Sequence, residues 1–272
     1  MFSAFFLPAE SGHRFCIHHP GAPEGTRGGI VYAHPFCEEM NKSRRMAALQ
    51  SRRLAALGYS VLQIDLFGCG DSSGDFADAR WEIWKRDLQL ALDWLKRRVR
   101  GPLALWGLRL GATLAADVAR DPGLGLEQLV LWQPVASGEQ FLTQFLRLRL
   151  AAEMLAEGTA RSGVSDLRDS LRNGASLEIA GYDLHPKLAS ELDSLRLAEL
   201  VPAVKRVHCL EVSATETAQL SPASERALQG WRSKGLEVRA ASVTGEAFWS
   251  TIEIAECEAL FAATEKSLDG AS

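Results

Sequence analysis

The residues with the clearest chemical meaning form a five-residue turn, Gly107-Leu-Arg-Leu-Gly111, between a predicted buried strand and a predicted helix of small residues. With serine at its centre, this strand–turn–helix pattern presents a nucleophile for acyl transfer. Arg109 occupies that central position. Its guanidinium stays protonated and has no lone pair to donate, so Arg109 is not a nucleophile. The chemistry open to it is two-point recognition of a carboxylate or phosphate.

The segments around this turn alternate between strands and helices. Strands are predicted at residues 2–8, 13–19, 29–33, 59–65, 103–106, 128–132, 207–212 and 237–243, and helices at 40–58, 80–97 and 248–268. This rhythm predicts a mostly parallel eight-stranded sheet flanked by helices. Residues 137–200 break the rhythm because they are helix-rich and lack strand-like apolar runs. We therefore predict a core domain of residues 1–136 and 201–272.

Composition narrows the possible functions. The 272 residues are 47% hydrophobic, enough for one large core, and the net charge of -4 gives no electrostatic reason to bind nucleic acid or an anionic membrane surface. The five cysteines are scattered and form no Cys-x-x-Cys pair, so we expect neither a zinc knuckle nor a disulfide framework. We also expect no other metal site and no cofactor. The apolar residues 1–8 are too short to cross a membrane. We expect a cytoplasmic protein without membrane insertion.

Three loops carry a resemblance to the α/β-hydrolase superfamily. His34-Pro-Phe36 stands where that superfamily has its His-Gly-x oxyanion loop, and Asp65-Leu-Phe-Gly-Cys-Gly-Asp-Ser-Ser-Gly74 matches its Asp-x-x-Gly-x-Gly-x-Ser loop. The turn at residues 107–111 matches its nucleophile elbow. Taken in this order, the loops make nearly the whole chain resemble the superfamily. The resemblance implies an α/β-hydrolase fold in which residues 137–200 are a helical cap over the pocket.

Longer segments are similar to a narrower family, the type 2 hydrolase-like proteins associated with exosortase A systems. The similarity is carried by residues 34–45, 106–112 and 131–135, and Gly245-Glu-Ala-Phe-Trp249 fits the same pattern. Genes of that family sit among bacterial exopolysaccharide and protein-sorting genes. The resemblance therefore implies a hydrolase of an ester or acyl-type small molecule linked to exopolysaccharide synthesis.

The superfamily also implies where the partners of the nucleophile should lie. Its acid usually follows the seventh strand and its histidine the eighth. Glu216 is the best occupant of the acid position, whereas no histidine follows the eighth strand and Glu246 is the nearest ionisable residue. We predict a triad replaced by Arg109, Glu216 and Glu246. A buried arginine needs nearby carboxylates to compensate its charge. Glu38 or Glu39 can also reach the opening of the pocket beside Arg109.

The remaining candidates surround the oxyanion loop. The backbone N–H groups of Phe36 and Leu110 are the expected oxyanion donors, since Pro35 has no N–H. Cys37 is the best alternative nucleophile, and His34 is the only histidine predicted close to it. Histidines at this position more often hold the loop by hydrogen bonds.

Three interpretations of the cluster remain open from sequence. In the first, the ion pairs are structural and fill an active site that has lost its activity. In the second, Arg109 binds an anionic or acyl small molecule. In the third, a glutamate activates water for catalysis. In the last case, Phe36 and Leu110 would stabilise the oxyanion.

Overall fold

The computed structural model describes residues 1–21, 27–157, 163–215 and 219–269. Among these residues, no helix is long and apolar enough to cross a bilayer. The strands are β1 (Ser3–Pro8), β2 (His13–His19), β3 (Gly28–Ala33), β4 (Tyr59–Ile64), β5 (Leu103–Leu108), β6 (Leu126–Trp132), β7 (Leu177–Ile179), β8 (Tyr182–Leu184), β9 (Arg206–Ser213) and β10 (Glu237–Thr244). The helices are α1 (Glu38–Ala56), α2 (Trp81–Lys96), α3 (Leu110–Val118), α4 (Gly138–Glu157), α5 (Val164–Arg172), α6 (Pro186–Ser194), α7 (Pro222–Ser233) and α8 (Glu258–Asp269).

Eight strands form one sheet in the order β1-β2-β4-β3-β5-β6-β9-β10. The pairs β1–β2 and β2–β4 are antiparallel, and every other pair is parallel. Strands β3 and β5 are buried along their whole length because helices cover both faces of the sheet, which explains their continuous apolar sequences. The predicted mostly parallel eight-stranded sheet is confirmed.

The centre of this sheet brings the two candidate loops together. Strands β3 and β5 are neighbours, and Ala33 at the end of β3 pairs with Gly107 near the end of β5. Four residues separate β3 from helix α1, and helix α3 begins directly after Arg109. Because parallel strands end at the same edge of a sheet, the His34 loop and the Arg109 turn lie side by side.

The described residues between β6 and β9 contain the α-helices α4, α5 and α6 and also a two-stranded hairpin that the sequence does not predict. Each hairpin strand has only three residues, too few for a detectable alternation of apolar side chains. Ala180 and Gly181 form its two-residue turn, both with positive φ, which is the conformation favoured in tight hairpins. Tyr182 packs its ring on Phe76, with 5.2 Å between ring centroids.

The last helix is shorter than predicted. A helix over residues 248–268 is expected from sequence, but α8 begins only at Glu258. The intervening residues include β-branched Thr251, Ile252 and Ile254, which favour a helix less than the residues of α8 do. In this segment Phe248 is completely buried, and Trp249 lies at the edge of the sheet where the Arg109 turn is found.

Candidate functional site

The turn around Arg109 has the strained backbone of a nucleophile elbow. Arg109 has φ 56° and ψ -122° and is the residue immediately before α3. A non-glycine residue seldom adopts this conformation, and it costs roughly 1–3 kcal/mol. Glycines permit the tight packing around it, because a Cβ on Gly107 would lie 2.4 Å from the Gly111 carbonyl oxygen. The fold therefore keeps the elbow although the serine is absent.

Arg109 forms an ion pair with Glu39. Its Nε donates a hydrogen bond to Glu39 Oε1 at 3.1 Å, and the two side chains are only 18% and 13% exposed. The guanidinium carbon also lies 5.4 Å from the centre of the Trp249 ring. Within the described chain, the two terminal guanidinium nitrogens donate to no protein acceptor. They remain available for a ligand.

Glu38 and Glu39 occupy the first turn of α1, where negative charge is favoured by the helix dipole. The Oε2 atom of each carboxylate is buried and receives no hydrogen bond from the described residues. Burial raises the pKa of Glu39 above its ordinary value, and the attraction of Arg109 opposes this shift. A carboxylate oxygen left without a donor in this position calls for a water molecule or a ligand group.

The structure does not bring Glu246 to Arg109. The Glu246 side chain is exposed and forms no hydrogen bond or ion pair among the described residues. Trp249 is the residue from this loop that contacts Arg109, and sequence reasoning missed it. The sequence feature that could have identified Trp249 is its position after the last strand, where the resemblance implies a histidine. Glu216 lies outside the described residues.

The two residues predicted to supply the oxyanion donors, Phe36 and Leu110, line a space that is almost full. Neither Phe36 nor Leu110 donates its backbone N–H to an acceptor in the described part of the chain. Both residues line an apolar cavity of about 10 Å³, roughly the room for one water. The Phe36 ring packs against Phe141 and Phe145, with centroid distances of 5.5 and 5.0 Å. This small cavity has no room for an acyl group.

His34 holds the loop. Its Nδ1 lies 2.7 Å from the carbonyl oxygen of Pro35, and its Nε2 lies 3.2 Å from the backbone nitrogen of Leu66. The Nδ1–H therefore donates and Nε2 accepts, which occupies both ring nitrogens. Burial lowers the pKa of His34 and keeps the ring neutral. His34 has no lone pair left to activate Cys37.

Cys37 also has a strained backbone, with φ 49° and ψ -126°, directly before α1. Its side chain is enclosed, since the residue is only 3% exposed. Burial raises the pKa of its thiol well above the ordinary value, with a further contribution from Cys69, which lines the same small cavity. The thiol is protonated at neutral pH, and only the thiolate is a good nucleophile.

A larger cleft of about 370 Å³ opens beside Arg109, between α1 and α4. Its charged side carries two acidic and two basic residues. Its other side is an apolar wall formed mainly by α4. The lining residues are Phe36, Glu38, Glu39, Lys42, Arg109, Phe141, Gln144, Phe145, Leu148, Trp249 and Ser250. Six of the eleven lining residues are polar or charged and five are apolar, so the cleft offers both kinds of surface to a small amphiphilic molecule.

Metal ligation has no support in the described ranges, which contain no group of three His, Cys, Asp or Glu residues suited to hold an ion.

The parallel sheet, the strained elbow after its central strand and the oxyanion loop beside it define an α/β hydrolase. The sequence profile of the family described as serine aminopeptidase, S33, matches residues 24–210, which is most of the chain. The chain therefore belongs to that family. No curated protein sequence matches it.

Solved structures of esterases and related hydrolases share the fold. Est1E from Butyrivibrio proteoclasticus with bound ferulic acid is 15% identical, with a TM-score of 0.72 and 98% of each chain covered. A thermostable carboxyl esterase from Bacillus coagulans is 14% identical, with a TM-score of 0.62 and 90% of each chain covered. XC6422 from Xanthomonas campestris, an α/β serine hydrolase without a lid, is 15% identical, with a TM-score of 0.59 over 100% of this chain and 96% of its own. At these identities the likeness concerns the fold alone.

Proposed function

We propose that this α/β hydrolase binds a small amphiphilic anion instead of performing covalent serine catalysis. The carboxylate or phosphate head of the ligand pairs with the two terminal nitrogens of Arg109. The apolar part of the ligand packs against Phe141, Phe145 and Leu148 on the opposite side of the cleft. The observation that carries this proposal is the orientation of Arg109, whose Nε is paired with Glu39 while both terminal nitrogens lack an acceptor among the described residues.

The energetics favour an anion at this position. A guanidinium presents two parallel N–H donors to a carboxylate, and such charge-assisted bonds contribute about 1.5–3 kcal/mol each. Glu39 compensates the charge of Arg109 in the empty site and so limits the cost of burying it. Lys42, whose Nζ is 3.5 Å from the carbonyl oxygen of Ser250, adds a second positive charge to the cleft.

The resemblance to the exosortase-associated family supports a link between the ligand and exopolysaccharide synthesis. We propose that the ligand is an ester, acyl or related small molecule connected with exopolysaccharide synthesis, and that residues 137–200 act as the cap that encloses its apolar part. The apolar wall of α4 supports an acyl or aromatic group in preference to a sugar.

Matched charged and neutral ligands test the proposal. Octanoate and octanesulfonate share their chain with 1-octanol, which lacks the negative charge. We expect calorimetric titration to detect both anions and to give the alcohol at least about tenfold weaker binding, the loss of one charge-assisted bond. Equal binding of all three molecules would refute an anion site at Arg109.

Water-activating catalysis is the second candidate, and one observation favours it. The Oε2 atom of Glu39 is buried and has no donor in the described part of the chain, and burial raises the pKa of this carboxyl, as expected for a general base. Hydrolysis of short p-nitrophenyl esters distinguishes the candidates. Turnover by the wild type that disappears in Glu39→Gln, but not in the exposed control Glu246→Gln, would favour catalysis. The variant Glu216→Gln tests the remaining predicted acid.

A further inference from the structure

Helix α4 carries an apolar stripe that runs from the cleft out past its mouth. Phe141, Phe145, Leu148, Ala152 and Leu155 follow one another at spacings of four, three, four and three residues, which places them on one helix face. Phe141 and Phe145 are buried in the cleft, Leu148 at its edge is exposed, and Leu155 is 90% exposed. Among the described residues, nothing covers the outer end of the stripe.

A second apolar segment flanks the same mouth. Ser250 lines the cleft, and Ile252 and Ile254 follow it two and four residues later. Ile252 is 101% exposed, and Ile254 and the helical Met154 are also exposed. We call Leu148, Met154, Leu155, Ile252 and Ile254 the apolar rim. They account for five of the eight large apolar side chains that are exposed among the described residues.

We propose that the apolar rim docks on a lipid bilayer surface, with the cleft mouth facing the lipid. Its side chains protrude separately from two segments, so a single small ligand would leave most of their area in water. Insertion into a bulk apolar phase buries them all at once, as in interfacial protein segments that penetrate to the headgroup boundary. The rim continues the apolar wall of the cleft, because Leu148 belongs to both.

The charged residues around the rim are compatible with the cleft mouth facing the lipid. Arg147 is exposed and has no ion-pair partner in the part of the chain that the structure describes. Arg149 pairs with Glu153, Arg45 pairs with Glu256, and the exposed Glu253 between Ile252 and Ile254 offsets Arg147, so the charges of the described residues around the rim nearly cancel. Docking should therefore depend on apolar insertion more than on anionic lipid. Long basic side chains such as Arg147 can place their charge among lipid phosphates.

The docking proposal is argued from the apolar rim alone. The role of docking in ligand uptake rests on the proposed function. An amphiphilic anion partitions into a bilayer, and a cleft that opens between two inserted segments would receive it without passage through water.

Co-sedimentation with phosphatidylcholine vesicles tests the docking proposal. We expect the wild-type protein to bind them, with only a small gain when a fifth of the lipid is phosphatidylglycerol. Burying one Leu or Ile side chain changes an equilibrium by about tenfold or more. The double variant Leu155→Ser/Ile252→Ser should therefore lower the partition coefficient at least tenfold. The matched control is Phe6→Ser, which removes an exposed apolar residue from edge strand β1.

Other results would overturn the proposal. Absence of vesicle binding by the wild type, or equal loss in Phe6→Ser, excludes the rim as a lipid-docking surface. Concentration-dependent dimerisation that the double variant abolishes, without any vesicle binding, would assign the rim to a second copy of the chain. Arg109→Gln should bind vesicles normally, and the double variant should still bind octanoate, so failure of this proposal is distinct from failure of the anion site.

Discussion

Arg109 and Glu39 are 70 residues apart in sequence, yet Nε of the arginine lies 3.1 Å from Oε1 of the glutamate. The pair joins the elbow after β5 to the first turn of α1, the two segments that a serine hydrolase uses for its nucleophile and oxyanion loop. A cation at the start of a helix opposes the helix dipole, and the adjacent carboxylate offsets that cost. The Arg109–Glu39 pair thus compensates the buried charge of the arginine, while Glu39 Oε2 and the two terminal guanidinium nitrogens keep no partner among the described residues.

Removing the charge of Glu39 should strengthen anion binding. Glu39→Gln keeps an amide oxygen that can accept from Arg109 Nε, but it no longer repels an anionic head. We expect the affinity for octanesulfonate to rise about threefold to tenfold in calorimetric titration, the range of a screened charge interaction. Weaker sulfonate binding in this variant would mean that Glu39 positions Arg109 and contributes little repulsion.

Protonation of Glu39 should have the same effect as its substitution. Because burial raises the pKa of this carboxyl, Glu39 takes up a proton as the pH falls from neutrality, before an ordinary glutamate does. Octanesulfonate stays ionised in this range, so its affinity for the wild type should increase as the pH falls. The Glu39→Gln variant should show a flatter profile. Parallel profiles for the two proteins would exclude Glu39 as the titrating group.

Much of the fold followed from sequence because its signals are local. The apolar strands β3 and β5 and the glycine-flanked turn after β5 are each encoded by adjacent residues. The resemblance of three loops then fixed their arrangement. The hairpin of β7 and β8 was not predicted because its strands are too short to show a pattern. The late start of α8 was not predicted because the residues before it disfavour a helix only weakly.

The candidate site was predictable only in part, because it depends on contacts between distant segments. Arg109 was evident from its place in the elbow, and Glu39 was one of several carboxylates within reach. The contact of Trp249 with Arg109 depends on how residues 248–257 pack, which no local pattern encodes. Sequence alone likewise did not indicate that Phe36 and the α4 aromatics fill the oxyanion side.

The cysteines should be unreactive in the folded protein. All five are free and buried, and burial raises the pKa of Cys37. A chromogenic disulfide reagent at pH 8 should react with none of them on the minute timescale and with five after denaturation. One rapidly reacting thiol in the native protein, absent in Cys37→Ser, would reinstate Cys37 as a nucleophile.

Restoring the serine alone should not restore an esterase. Arg109→Ser would place a hydroxyl on a backbone already in the nucleophile conformation, but no histidine ring among the described residues forms a hydrogen bond to the elbow, and both ring nitrogens of His34 are already occupied. We expect p-nitrophenyl butyrate hydrolysis to stay within tenfold of the background. Robust turnover would show that another group accepts the serine proton.

The elbow should tolerate no side chain at Gly111. A Cβ there would lie 2.3 Å from the carbonyl oxygens of Ala33 and His34, both backbone atoms. We expect Gly111→Ala to lower the free energy of unfolding by about 1–3 kcal/mol or more in urea denaturation. The matched control is Gly230→Ala in α7, where a Cβ meets no atom within 4 Å. It should raise stability by about 0.5–1 kcal/mol, and equal effects of both changes would contradict the tight packing of the elbow.

Titration of octanoate into the wild type, Arg109→Gln and Arg109→Lys tests the central claim most directly. If the arginine fork holds the anionic head, the glutamine variant should bind at least about tenfold more weakly, because a charge-assisted bond is lost. The lysine variant should fall between them because it keeps the charge and loses the planar fork. Thermal unfolding of all three proteins verifies that they are folded. Equal octanoate affinity in the three proteins would contradict the claim.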